Sequence, residues 1–421
     1  TFLNPPLFFL FDLDLDLENY TSSNLHMYFK KVSKKSYLSV FQQYITKENK
    51  LKPQSSILDN SIVLDLDHKN YNFTGGMRVY DSLGIEKKSD RYQYVLPYYS
   101  IGGSIDQDYI NGNINLGSSG NNLLTNTNEL KTRITNTLNY NSIDLISSFG
   151  FKNNFGVNYQ HLNSVGKKST NYTSSPKSEI ISLYNYDVSL PLIKENEKIK
   201  NNLTPKLSLR FNPSDMRDHS TFGASVGPSN IFAINRLGLS NSYESGRSLT
   251  LGLEYNTEWK QPNKKNEEDI GPSYRREFEN KIDQINNYFN VKLAAVLRDK
   301  EENFIPKASS LNRKSSNLLG SITNKLSDNI KLSYNFSLDN DFNTFEDNSI
   351  SAILSNNNIV TKFDFTENNG ERGDTNVFKT QIEYHFNDEN FLTFKTRRNR
   401  KLNLTEYYDL VYEYKNDCLT A

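Results

Sequence analysis

Residue types able to carry chemistry are sparse in this chain and do not gather. The five histidines, His26, His68, His161, His219 and His385, stand singly. None has a second ligand at the short spacing that a bound metal ion needs, so each reads as a solvated strand or loop residue. The nearest approach to an acid–base group is Asp215, Asp218 and His219, within the segment Asn212 to His219. A carboxylate beside an imidazole suits hydrolytic work, but the same residues make a charged turn after a strand Leu207–Phe211. No nucleophile elbow, phosphate-cradling loop or dinucleotide fingerprint occurs. The one cysteine, Cys418, cannot form an internal disulfide or a Cys/His metal cluster. The most regular feature is an acidic stripe, Asp12, Asp14, Asp16 and Glu18, interleaved with Phe11, Leu13, Leu15 and Leu17. It could meet phosphate groups only through divalent cations; as plain solvated carboxylates on the wet face of a strand it needs no ligand. No cofactor or metal site emerges, and no enzymatic activity is expected.

The element that positions such a stripe is a β-strand, whose side chains alternate between two faces. The same period recurs along the chain: Ile62, Leu64, Leu66; Phe155, Val157, Tyr159; Leu207, Leu209, Phe211; Leu249, Leu251, Leu253, Tyr255; Ile330, Leu332, Tyr334, Phe336; and Phe378, Thr380, Ile382, Tyr384. Clusters such as Gly117 to Asn122, Asn356 to Asn358 and Asn368-Asn369-Gly370 read as the turns between strands, because Gly and Asn tolerate positive φ. With one strand and turn in every ~20–24 residues, about 18–20 strands are expected. Lys167 to Lys177 and Gln261 to Arg276 read as extended loops on one rim. Phe278, Ile282, Ile285 and Phe289 recur at helical spacing, but no good cap precedes them, and a loop leading into a strand at Phe289 is the preferred reading.

Composition narrows the class further. Lys and Arg number 49, Asp and Glu also 49, and this zero balance argues against a nucleic-acid partner. Hydrophobic residues reach only 36%, yet 26 Tyr and 25 Phe make the chain too aromatic for disorder. The longest apolar run, Leu7 to Phe11, falls far short of the ~20 residues of a transmembrane helix. A membrane barrel needs only ~9–11 residues per strand, so it stays open. Alternation alone fits a soluble β-sandwich or β-solenoid as well. The residues favour the barrel, because almost every strand keeps a polar face (Asp12, Asp14, Asp16; Lys292, Arg298; Lys331), where a doubly covered core would show near-continuous apolar strands. Tyrosine patches at Tyr92, Tyr94, Tyr98, Tyr99 and at Tyr407, Tyr408, Tyr412, Tyr414 suit interfacial girdles or ordinary cross-strand packing.

Five segments together resemble the LptD (Imp/OstA) family of outer-membrane lipopolysaccharide (LPS) assembly proteins, especially its alphaproteobacterial form. They are Lys31 to Leu38; Leu203-Thr204-Pro205-Lys206-Leu207 leading to Asn212-Pro213; Asn235-Arg236-Leu237-Gly238 through Gly246 to Gly252-Leu253-Glu254-Tyr255; Pro306 to Asn312 followed by Ser315 to Gly320; and Tyr408 to Cys418. Their order and spacing across the chain carry the resemblance. Two positions depart from the family pattern: Asn241-Ser242 replaces an Asp-Arg pair, and Lys34-Lys35 stands where an Asp is usual.

The resemblance implies an all-β chain forming a wide antiparallel transmembrane β-barrel in the outer membrane of a Gram-negative cell. It implies a signal peptide, a periplasmic jelly-roll domain and first barrel strands ahead of Thr1, and further strands after Ala421. Residues 1–421 are therefore expected to be part of the C-terminal barrel domain, with the seam strands outside them. It also implies a partner for Cys418 in the periplasmic domain. The implied function is a translocon that delivers LPS to the outer leaflet, glycan through the polar lumen and acyl chains through a lateral seam. Implied partners are LPS, an LptE-like lipoprotein plug, periplasmic Lpt bridge components and outer-membrane lipids, with Asp12, Asp14, Asp16 and Glu18 as candidates for the lumen wall. A general porin, a TonB-dependent-type transporter barrel and an outer-membrane hydrolase working through Asp218 or His219 are the alternatives.

Overall fold

Alternating sequence becomes extended chain throughout the computed structural model, which describes residues 7–14, 21–31, 57–82, 92–107, 111–125, 128–169, 172–260, 285–356, 358–387 and 389–415. Twenty-one strands and two short 3-10 helices account for nearly all regular structure among them. No helix there is long and apolar enough to cross a membrane. The chain divides into two compact units, residues 1–143 with 155–184, and residues 144–154 with 185–421.

In the first unit, β1 (Leu7–Asp14), β2 (Ser22–Lys31), β3 (Ile57–Asp67), β4 (Tyr71–Ser82), β5 (Tyr92–Gln107), β6 (Gly112–Thr125) and β7 (Glu129–Ser142) pair antiparallel, each with the next. β7 then pairs with β9 (Lys152–Lys167). The exposed rows of these strands are apolar: Ile101 and Ile105, Leu116, then Leu130, Ile134 and Leu138. Thr135, between two of those exposed residues, is buried on the opposite face, as are Asn158 and Ser164.

β10 (Lys177–Ser189) spans the division between units, and the two-residue β8 (Leu145–Ile146) belongs to the second. The second unit continues with β11 (Leu192–Glu195), β12 (Ile199–Asn212), β13 (Gly246–Lys260), β14 (Ile285–Arg298), β15 (Leu318–Ser327), β16 (Ile330–Leu338), β17 (Phe345–Asn356), β18 (Ile359–Asn368), β19 (Thr375–His385), β20 (Asn390–Asn399) and β21 (Leu404–Tyr414). From β11 onward each strand pairs antiparallel with its successor. The β12–β13 register runs unbroken from Ile199↔Trp259 to Asn212↔Gly246. Pro205 sits inside β12 without an N–H to offer, and its carbonyl still accepts the Leu190 N–H at 3.1 Å.

Here the alternation is inverted relative to a soluble sheet. Leu251 and Leu253 are 44% and 41% exposed, while Thr250 beside them is 0% exposed. Leu209 and Phe211 are likewise exposed around a buried Arg210. An antiparallel sheet in water hides its apolar face and wets the polar one. This one does the reverse, which a bilayer explains: hydrocarbon solvates the leucines, and the ladder pairs backbone groups strand to strand. The sandwich alternative, which needs those apolar faces stacked in a dry interior, is therefore excluded for these strands.

Gly117 to Asn122 is not a turn but the middle of β6. Its glycines make room for neighbours: a Cβ on Gly117 would lie 2.7 Å from Thr137 Oγ1, and one on Gly120 would lie 2.5 Å from the Tyr99 ring. Ile285 and Phe289 belong to β14, so the helical spacing there is not a helix; Phe278 and Ile282 lie outside the described residues. Of the two expected loops, 168–176 does connect β9 to β10, whereas Gln261 to Arg276 lies outside the described residues. β17 ends at Asn356 and β18 starts at Ile359, in agreement with a turn at the asparagine cluster.

Candidate functional site

The second unit buries apolar side chains on the polar face of its sheet, where two long loops fold onto it. Residues 213–245 follow β12 and residues 299–317 follow β14. Met216, Val226, Ile231, Leu237 and Leu239 of the first loop, with Ile305 and Leu311 of the second, pack on Ala294 and Val296 of β14 and Leu319 of β15. The loops thus carry their own small core and hold it against a wall that is otherwise polar.

Each residue of Asn235-Arg236-Leu237-Gly238 has a task in this arrangement. Asn235 bridges the backbone of Leu239 in both directions, accepting its N–H at 3.0 Å and donating to its carbonyl at 2.9 Å. Gly238 between them has φ +63°, a left-handed conformation that a side chain would strain. Leu237 enters the core. Arg236 is fully buried, which is tolerable only because all five of its N–H groups find acceptors. Nε and Nη2 grip the two Glu244 oxygens at 2.7 and 2.5 Å, Nη1 donates to Thr250 Oγ1 at 2.9 Å and the Ile231 carbonyl at 3.4 Å, and Nη2 also reaches Ser248 Oγ at 3.3 Å.

The strands tie this loop down from below. Arg210 of β12 donates to the carbonyls of Ala233 (3.0 Å) and Ile234, and Arg298 of β14 to Glu244 Oε2 (3.4 Å) and the Ser245 carbonyl. Burial alone would raise the Glu244 pKa, but the charge and hydrogen bonds of Arg236, with Arg210 and Arg298 nearby, bring it down to about 2. The carboxylate is therefore ionised at any physiological pH.

The second loop is closed by its serines. Ser309 N–H and Oγ both donate to the Pro306 carbonyl, at 3.1 and 2.6 Å, and Ser310 Oγ accepts the Asn317 N–H at 3.1 Å. Asn317 then reaches Ser337 Oγ at 2.9 Å and Glu346 Oε2 at 2.6 Å. Ser245 Oγ donates to Glu302 Oε2 at 2.6 Å, joining the two loops. Arg372, after β18, donates to the Val226 carbonyl at 3.2 Å and pairs with Asp347 at 3.3 Å.

Further along the same polar face Glu254 of β13 lies between Lys206 of β12 (2.8 Å) and Lys292 of β14 (3.2 Å), with Asn290 beside it. Two ammonium groups thus share one carboxylate along a wettable strip.

Asp218 Oδ1 accepts the Ser220 N–H at 2.9 Å, so it caps a turn, and hydrogen bonding to Ser220 lowers its pKa. His219 donates its backbone N–H to the Phe304 carbonyl at 2.9 Å and sets its ring edge-on to Phe222, with Nε2 unpartnered among the described residues. Burial, then Arg217, lowers its pKa. Asp215 is exposed beside them. Asp218 and His219 hold a loop in shape, and no hydrogen bond among the described residues joins the three into a hydrolytic set. Asp12 and Asp14 fall in β1, opposite His26 and Asn24 in register; Asp16, Glu18 and Cys418 lie outside the described residues. Arg210, Arg236, Glu244 and Arg298 escape sequence reasoning as a site, although Arg236 lies within one of the five family-like segments. The available signal is a stretch, 213–245, that holds apolar residues without a strand period.

A family model described as LptD, LPS transport system D, matches residues 15–388. No curated protein sequence shows significant similarity to the chain. Among solved structures, the crystal structure of the siderophore receptor PirA from Pseudomonas aeruginosa is similar with a TM-score of 0.37 and 10% identity, covering 92% of this chain and 72% of that one.

Proposed function

The chain belongs to the LptD family, and from that premise we propose how its two sheet faces divide the work on one amphiphile. The family is a β-barrel family that transports LPS and assembles it at the outer membrane; it is not a family of enzymes, and its members bind LPS. LPS poses a solvation problem, since its sugars cannot cross hydrocarbon and its acyl chains cannot cross water. In our reading the strands form part of a barrel whose polar face lines a wet lumen for the glycan, while the acyl chains leave sideways through a weakly paired seam. Unpaired strand edges cost several kcal/mol each in lipid unless the opening is wet, so seam and lumen must communicate.

One observation carries this reading: Leu251 and Leu253 are exposed where Thr250 and Glu254 share the opposite, polar face. The two loops anchored through Arg236 then form a fixed part of the lumen wall. An LptE-like lipoprotein in the lumen, periplasmic Lpt bridge components and a cysteine partner for Cys418 belong to the same proposal, as does the assignment of residues 1–421 to the barrel domain.

Two experiments test it. Depleting the full-length protein should stop newly made LPS from reaching the cell surface while other outer-membrane barrels still assemble. A photo-crosslinking residue at Asn256 or Asn290, on the polar face, should capture LPS in transit. Crosslinks arising only from positions such as Leu253 would place the sugars outside the lumen and end the proposal. A diffusion porin would instead show solute conductance with no LPS phenotype.

A further inference from the structure

The exposed apolar face of the second unit is interrupted at one end by two arginines. In register, Arg398 of β20 faces Phe378 of β19, which faces Phe365 of β18, and the Phe363 and Phe378 rings meet edge-on at 4.4 Å. The Arg400 guanidinium lies 5.9 Å from the centre of the Phe365 ring. Phe378, Arg398, Arg400 and Asn403 line an open groove of about 530 Å³. Asn403 Oδ1 holds Arg398 Nη2 at 2.7 Å and so orients the guanidinium. The nearby carboxylates are already engaged, Asp374 by Lys401 and Glu406 by Arg397 at 2.8 Å. Neither Arg398 nor Arg400 has a carboxylate partner among the described residues.

Depth identifies what these cations meet. The groove lies where β20 passes into residues 400–403, the same end as the loops 213–245 and 299–317; at the other end β15–β16, β17–β18 and β19–β20 connect tightly, and only β13–β14 is joined there through a longer stretch, residues 261–284. Barrels of this class keep short turns on the periplasmic side and longer loops outside. The arginines therefore stand at the outer water interface, above an aromatic surface that faces hydrocarbon. Planar guanidinium groups bind phosphate oxygens in pairs, and the phenylalanines below offer acyl chains a surface.

We propose that this groove is a binding site for the phosphorylated headgroup of an outer-leaflet lipid, held on the outside of the barrel. The inference rests on the bilayer placement of this face and not on the route by which LPS is carried. Its test uses the purified full-length protein with bisphosphorylated lipid A, its dephosphorylated form and inorganic phosphate as probes, read by native mass spectrometry. Wild-type protein should retain one more bisphosphorylated lipid than R398Q/R400Q, with affinity for that lipid at least about tenfold higher, the lower end of what charge-assisted hydrogen bonds contribute. Dephosphorylated lipid should bind wild type and variant alike, R398K/R400K should recover part of the difference, and millimolar phosphate should not compete. LPS delivery to the cell surface should continue in R398Q/R400Q, which separates this site from the transport route. Equal retention by wild type and a variant that still shows the heat-shifted mobility of a folded barrel would overturn the proposal. Full competition by inorganic phosphate would overturn the lipid assignment.

Discussion

The ring of Phe232 rests on the bare backbone of Gly252: a Cβ at that glycine would come within 2.5 Å of Phe232 Cζ and 2.8 Å of Cε2. Gly252 lies in the middle of β13, on its polar face, and Phe232 lies in the loop that β12 and β13 share. The missing side chain in the wall is thus the seat of a side chain in the loop. Together with the Arg236–Glu244 clamp it sets how deeply the loop lies on the sheet.

Filling that seat should lift the loop. Gly252→Val is expected to make residues 213–245 sensitive to protease while the barrel keeps its heat-shifted mobility, since overpacking typically costs about 1–3 kcal/mol locally. Phe232→Ala placed in the same chain should restore part of the protection, because the two changes relieve one collision. Purely additive effects in this cycle would show that the contact does not position the loop.

Glu244 carries a different weight, since two arginines depend on it. Glu244→Gln keeps the shape but leaves Arg236 and Arg298 buried without their counter-charge, a change that costs about 3–5 kcal/mol in comparable buried pairs. Thermal or urea unfolding of the full-length protein should show a loss of that order. The matching control is Lys325→Gln, whose pair with Asp328 at 2.8 Å is exposed and should matter by less than about 1 kcal/mol. Equal losses from the two substitutions would mean that the buried charges are not what holds the loop.

The same carboxylate predicts a pH dependence with a definite sign. Its folded pKa, about 2, lies below the ordinary value for glutamate, so the folded state binds the proton less readily than the unfolded one. The stabilisation is complete above about pH 4.3 and declines as the pH falls toward the folded pKa. Amide exchange in residues 230–245, corrected for intrinsic rate, should stay slow down to about pH 5 and quicken below about pH 4. Glu244→Gln should lack that acid step. A step centred above about pH 6 would mean that another group controls the loop.

Much of this architecture was legible in the sequence because a strand prints its two faces directly. Phe378, Thr380, Ile382 and Tyr384 needed nothing but period two to be placed on one side of β19. The failures share a cause. Gly117 and Gly120 looked like turn residues, yet they are glycines because Thr137 and Tyr99, from neighbouring strands, occupy the space a Cβ would need. Arg236 and Glu244 are eight positions apart within a loop, and only the fold reveals that Arg298, 54 residues beyond Glu244, joins them. Local pattern shows where a chain is extended; it does not show which loop returns to cover a wall.

The inverted alternation itself can be put to the test at a single strand. Leu253 and Asn256 both lie within β13, on opposite faces, the first 41% exposed beside Leu251 and the second turned toward Glu258 and Asn290. If the leucine face meets hydrocarbon, Leu253→Arg places a charge near mid-strand in the bilayer and should cost about 2–4 kcal/mol. Asn256→Arg places the same side chain among water and carboxylates and should be nearly neutral. Unfolding of the two variants in lipid vesicles against urea would give the difference directly. Equal tolerance at both positions would mean that the leucines do not face lipid, and the division of labour between the two faces would fall with them.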